Sequence, residues 1–143
     1  CRRAGFSAIE CKEAGFTAYD FKKAGFTLAD CKDAGLDLKS CSYAGYSFDQ
    51  CKEVGFSAFE CKQAGATAEE CKRAGYTAAE CRDAGYNAMQ CKKSGFLETD
   101  LYMAGFSLRD NIEAGSSVWE CRKAGFSCSD FKSAGMSVAE CAS

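Results

Sequence analysis

Cysteine is the residue type in this chain with chemistry to offer. Twelve occur, and eleven of them stand at the same place in a ten-residue frame: Cys1, Cys11, Cys31, Cys41, Cys51, Cys61, Cys71, Cys81, Cys91, Cys121 and Cys141; only Cys128 is out of step. A ladder of thiols admits three readings. It can be a row of small, easily buried hydrophobes. It can be a set of disulfides, which would suit a secreted fibre whose thin core buries too little on its own. It can also hold a soft metal such as Cu(I) or Zn(II), or an iron–sulfur cluster, through thiolates.

Burial is supported by Phe21, Leu101 and Phe131, which put plain hydrophobes at the ladder position. All twelve cysteines are disulfide candidates, and the total is even. Sequential pairing could join Cys1 to Cys11, but the run from Cys31 to Cys91 has seven members and leaves one over. Cys128 falls one helical turn before Phe131, on the same face, where it could meet Cys121 or Cys141. For metal, Cys51, Cys61, Cys71 and Cys81 are the thiolate candidates. The regular interval of ten and the absence of His argue against a site of that kind, and no cofactor is assigned. The three readings stay open. A bridged ladder would favour an extracellular or cell-surface setting.

The elements that must position these thiols are set by the repeat itself. In Thr77-Ala78-Ala79-Glu80-Cys81-Arg82-Asp83-Ala84-Gly85-Tyr86, Thr77 is an N-cap and Glu80, three places on, completes a capping box. Gly85 supplies the left-handed residue of a Schellman-type stop. The spacing predicts a helix of about two turns from Ala78 to about Ala84. Gly recurs at every tenth residue from Gly5 to Gly135 and accounts for all 14 glycines; a Ser, Thr, Asp or Asn follows two places later everywhere except at Leu97. Tyr86 lies where it can pack back on Cys81 and also staple onto Cys91. Ala78, Cys81 and Ala84 share one stripe, predicted to face the axis. Helices this short are marginal alone, so packing between repeats must hold them.

The reading is an all-α solenoid of about fourteen ten-residue repeats, one array over residues 1–143. The alternative is a pentapeptide-type right-handed β-helix, because Phe6, Cys11, Phe16 and Phe21 are five apart. That coil wants small residues two places before each central one, whereas Lys39, Asp49 and Arg109 stand there, and burying them would be untenable. The chain resembles tandem decapeptide arrays with an Ala-Gly-Phe-Ser/Thr-Ala-x-Glu-Leu-Lys core. That resemblance covers its whole length and implies a solenoid of short helices but no activity. It departs from the pattern by carrying Cys, as at Cys61 and Cys71, where Leu is usual.

Net charge of -2 with mixed signs gives no basic patch for nucleic acid, and no apolar run approaches a membrane span. Starting in phase at Cys1 without Met, the sequence reads as a window of a longer array; a lipoprotein's leading cysteine is the lesser reading. The repeats from Cys91 to Glu120 are the least regular: Leu97 replaces the N-cap, Glu98 takes an apolar place, Asn111 the ladder place and Ser116 the aromatic place. Tyr102, Met103 and Ile112 bring apolar groups to the predicted outer face. With Trp119 they are the interface candidates, against drift in a degenerate array. Ala29, Phe59, Met89 and Trp119, thirty apart, would form a stripe if three repeats made a turn.

The function this supports is structural: a rod or filament subunit that self-associates end to end or laterally. Alternatives are a scaffold that docks a protein partner, and a thiolate metal-binding or redox-buffering protein. Without His or a displaced acid or nucleophile, an enzyme is not expected.

Overall fold

A computed structural model describes residues 5–137 and 139–140. Thirteen short helices follow one another at ten-residue spacing among the described residues: α1 (Ala8–Glu13), α2 (Ala18–Lys23), α3 (Leu28–Asp33), α4 (Leu38–Tyr43), α5 (Cys51–Val54), α6 (Ala58–Gln63), α7 (Ala68–Arg73), α8 (Ala78–Asp83), α9 (Ala88–Lys93), α10 (Glu98–Met103), α11 (Leu108–Glu113), α12 (Val118–Ala124) and α13 (Cys128–Ser133). The fold is an all-α repeat solenoid. No strand occurs among the described residues, so the β-helix alternative is overturned. Its five-residue spacing arises because the ladder place and the aromatic place, five apart, are both buried points of one helix-and-turn.

Each helix starts and stops as its local residues dictate. At α8, Glu80 N–H donates to Thr77 Oγ1 at 3.2 Å, and Thr77 N–H donates back to Glu80 Oε2 at 2.7 Å. At the other end, Gly85 sits at φ 91, its N–H on Arg82 O at 2.8 Å, and Tyr86 N–H reaches Cys81 O at 3.0 Å. These two bonds are the pair that defines a Schellman end. The aromatic folds back as expected in α2, where Phe21 and Phe26 have ring centroids 4.9 Å apart. The start of α5 departs furthest from the plan. Ser47 Oγ donates to its near neighbour Asp49 instead of serving Gln50, and a 3-10 turn over Phe48–Gln50 leads into α5.

Two compact units divide the chain, one ending at Gly75 and the other beginning at Tyr76. In the first, α1 packs on α3, α2 on α4, α3 on α5 and α4 on α6; in the second, α8 packs on α10, α9 on α11 and α10 on α12. The main stacking is therefore between a repeat and the next but one, not at the three-repeat interval that the Ala29, Phe59, Met89 and Trp119 stripe would require.

The residue after the ladder cysteine makes this stacking specific. Lys22 Nζ lies 4.3 Å from the Tyr46 ring centroid and Lys32 Nζ 4.6 Å from that of Phe56. Lys12 and Lys52 donate to the carbonyls of Gly35 and Gly75 at 2.6 and 3.0 Å. Each cation thus sits on an aromatic face or at the negative end of a helix two repeats on. We call this contact the clamp.

Candidate functional site

The ladder place falls at the fourth residue of every helix but α5, where Cys51 is the first, and in most of them a capping box before it turns it into the core. Cys31, Cys41, Cys51, Cys61, Cys71, Cys81, Cys91 and Cys121 are 0% exposed and Cys11 is 3% exposed. Cys128 is exposed. All ten of these are thiols, with no disulfide among the described residues; Cys1 and Cys141 lie outside the described residues. Cys121 is buried while Cys128 faces solvent, so the geometry does not bring that suggested pair together.

In the first compact unit the thiols run as a column. Cys31 is hydrogen-bonded to the Tyr46 hydroxyl and to Cys41, and Cys51 to Cys61. Tyr46 itself donates to the Phe26 carbonyl at 2.8 Å in a buried setting. Burial pushes the Cys31 thiol up, and burial with the neighbouring Cys31 pushes Cys41 up to about 12. The hydrogen bond from Cys61 draws Cys51 down against the cost of its own burial. No group of three or more His, Cys, Asp or Glu is placed to hold a metal among the described residues.

The irregular repeats contain a second arrangement, in the other compact unit. Lys92 Nζ lies 2.9 Å from Glu98 Oε1 and donates to Ser116 Oγ at 2.8 Å, while Ser116 Oγ donates to Glu98 Oε1 at 3.3 Å. The Lys92 and Glu98 side chains are only 24% and 19% exposed. The hydrogen bond from Lys92 holds the Glu98 carboxyl below its usual range. Lys92 occupies the clamp place, and Ser116 stands twenty-four residues on, where an aromatic would receive it. Losing the ring makes room for Glu98, at a place where Ala58, Ala68, Ala88 and Leu108 are buried. The deviations at 98 and 116 are therefore one compensated exchange of a cation–π contact for an ion pair.

Asn111 is fully buried at the ladder place; its Nδ2 donates to Ser107 O at 2.9 Å and its Oδ1 has no hydrogen-bond partner. Leu97 still starts a helix, because its N–H donates to Asp100 Oδ2 at 2.8 Å, half of the usual box.

The interface candidates divide. Tyr102 takes the clamp place and meets Phe126 edge-on at 4.8 Å, and Ile112 packs with Met136 on the cluster of Leu108, Cys121 and Phe131. Tyr102 nonetheless stays 37% exposed. Met103 and Trp119 are 80% and 62% exposed. Trp119, with Lys123 5.0 Å over its ring, borders a groove of about 310 Å³ together with Leu97, Glu98 and Thr99. The sequence reading missed Lys22, Lys32 and Lys92 as partners across repeats. The signal was an offset of twenty-four between a clamp residue and its receiver, as at Tyr102 with Phe126.

The chain matches the family described as a decapeptide repeat region, over residues 5–78 and again over residues 75–143. No curated protein and no solved structure matches it.

Proposed function

The chain belongs to the decapeptide repeat family, and from that membership we propose that it is a structural protein, a rod or filament subunit that associates with further copies of itself. The observation that carries this reading is the state of the clamp receivers. Phe26, Tyr46 and Phe56 are 7%, 8% and 6% exposed, each with other repeats packed around it, while Phe6 and Phe16 are 55% and 37% exposed. A further repeat of the same kind, in the same chain or in another copy, would cover them with its clamp cation. The same contact that builds the array can therefore extend it. The reading gives the chain no catalytic role, and the spending of most N3 carboxylates on capping boxes supports that assignment.

Sedimentation velocity over a wide concentration range, with negative-stain images of the same samples, tests the proposal. Growth into elongated particles with concentration is expected, weakened by Phe6→Ser with Phe16→Ser. Discrete monomers at high concentration would overturn it.

A second reading, a scaffold that docks a protein partner, is favoured by one feature: Leu97 and Trp119 stand 63% and 62% exposed beside the same groove. Trp119 is the chain's single tryptophan, so its fluorescence would report occupancy directly.

A further inference from the structure

The two-repeat stacking of the first compact unit sorts its helices into two rows. One is α2, α4 and α6; the other is α1, α3, α5 and α7, the last packed on the 3-10 turn that leads into α5. Contacts of α3 with α4 and of α6 with α7 join the rows. Both turn their ladder side chains inward: Phe21, Cys41 and Cys61 from the first and Cys31, Cys51 and Cys71 from the second are 0% exposed. The outward places are therefore the residue two before the ladder and the residue two after it. An exposed ion pair, Arg73 on Asp49, shows that these places meet across neighbouring helices of one row.

At these outward places the two rows differ in chemistry. The first presents Tyr19, Lys23, Lys39, Tyr43, Phe59 and Gln63, all exposed, with two cations and no acid. Its aromatics Tyr19, Tyr43 and Phe59 are 64%, 81% and 54% exposed. The second presents Glu13, Asp33 and Glu53 at one recurring place, and Asp49 and Glu69 at the other, against the single base Arg73. Ile9 and Ala29 complete it, both exposed. Clamp cations and N3 carboxylates stand on both rows in nearly equal numbers and leave that contrast in place. A cluster of exposed aromatic rings edged by charge is the composition of an interaction surface.

We propose that the row bearing Tyr19, Tyr43 and Phe59 docks side by side on the acidic row of a second copy of this chain. The rings cover the Ile9 and Ala29 side of that row, and Lys23 and Lys39 meet Glu13, Asp33 and Glu53. This rests on the reading that the chain associates with its own copies, and assigns a surface to that association. Two observations make a second copy the occupant. The rows carry opposite charge, and both advance by the same two-repeat step, so a cation and a carboxylate that meet once stay in register at the next step. A nucleic acid would need a run of cations that two lysines do not supply. Because one row binds the other kind of row, each copy keeps a row for the next neighbour, and the contact propagates sideways instead of closing as a dimer. It is distinct from end-on coverage of Phe6 and Phe16. The aromatic rings carry the affinity, and the exposed charges set orientation and salt dependence.

The test is sedimentation velocity of the full chain and its variants, with far-UV circular dichroism to confirm folding. Expected is association that raised salt weakens and that Phe6→Ser with Phe16→Ser reduces without abolishing. Lys23→Glu with Lys39→Glu, and separately Glu13→Lys with Asp33→Lys and Glu53→Lys, should each weaken association by about tenfold or more. An equimolar mixture of these two variants should restore it, because each presents the row that the other lacks. Where a charge-reversed variant does not fold, Tyr43→Ser, at a side chain 81% exposed, should weaken association by about tenfold with helicity unchanged. Association that ignores all these substitutions but disappears in Phe6→Ser with Phe16→Ser would overturn the lateral contact and leave the filament reading standing. Monomers at every concentration would overturn both. Tyr43-dependent binding of a thymidine oligonucleotide by a chain that does not associate would give the face to nucleic acid and overturn the proposal.

Discussion

Replacing Ser116 by Phe and Glu98 by Ala, singly and together, asks whether the irregular repeats hold a compensated pair or independent accidents. Glu98→Ala leaves Lys92 without the carboxylate at 2.9 Å and takes from Ser116 its acceptor. Breaking a wholly buried pair costs about 3–5 kcal/mol, and the residual exposure of these side chains brings the expectation to about 2–3 kcal/mol. Ser116→Phe alone forces a ring into the space shared by the Glu98 carboxylate and the Lys92 ammonium, an overpacking cost of about 1–3 kcal/mol. The double substitution restores the regular design, with Ala under the ring and Lys92 over it, as Lys32 lies over Phe56 at 4.6 Å. Burying the ring contributes about 1.5–3 kcal/mol and the cation–π contact about 0.5–2 kcal/mol. The double variant should therefore fall within about 1 kcal/mol of the parent, with a coupling energy of about 3 kcal/mol or more. The assay is urea unfolding of all four proteins with their m-values compared, and hydrogen exchange in α10 and α12 as a local check. A double variant that carries the summed penalties of the two single ones would refute the compensation.

Asn111→Leu should raise stability by about 1–3 kcal/mol, because it removes a buried carbonyl oxygen that has no donor; a lower urea midpoint would show that Oδ1 has a partner in solution. Gly65→Ala and Gly125→Ala both force alanine to positive φ, at about 1–2 kcal/mol. Only the second also meets Tyr102, 2.9 Å from the new Cβ, so Gly125→Ala should lower Tm further; equal losses would contradict that contact. In acid, the N–H and hydroxyl of the N-cap hold the carboxyls of Glu10, Asp20, Glu60, Glu120 and Asp130 below their ordinary values. A depressed folded value means that this stabilisation is complete above the unfolded values of 4.5 and 3.8 and is lost as pH falls through the folded ones. Tm should be flat above about pH 5 and fall steadily below it, and a Tm unchanged to pH 3 would remove the capping boxes from the stability account.

Helix starts and stops were legible because their causes are local. Thr77, Glu80, Gly85 and Tyr86 act within one repeat, and hydrogen bonds of that reach can be read from spacing alone. The partner of each repeat was not legible, because a periodic sequence looks the same to every neighbour. Packing at two repeats or at three satisfies the same pattern of Ala, Cys and Phe. Departures from the period point to the partner: Tyr102, standing in place of a cation, meets Phe126, and Ser116, standing in place of an aromatic, meets Lys92 together with Glu98. A single helix places Tyr102 and Ile112 away from the ladder; Ile112 packs on the buried cluster, while Tyr102 lies against Phe126 and stays 37% exposed. The thiols were legible as a buried row, while their contacts along the axis depend on how close successive helices come, which composition does not encode.

The account rests on a column of reduced, buried thiols at the axis of a capped-helix array, and timed alkylation followed by mass spectrometry tests it most directly. In native buffer without reductant, Cys128 should be modified at once, while Cys31 to Cys91 and Cys121 stay protected; after denaturation, still without reductant, each should take one label. Rapid native labelling along the ladder would contradict the buried column, and rungs that label only after reduction would show that the ladder is bridged.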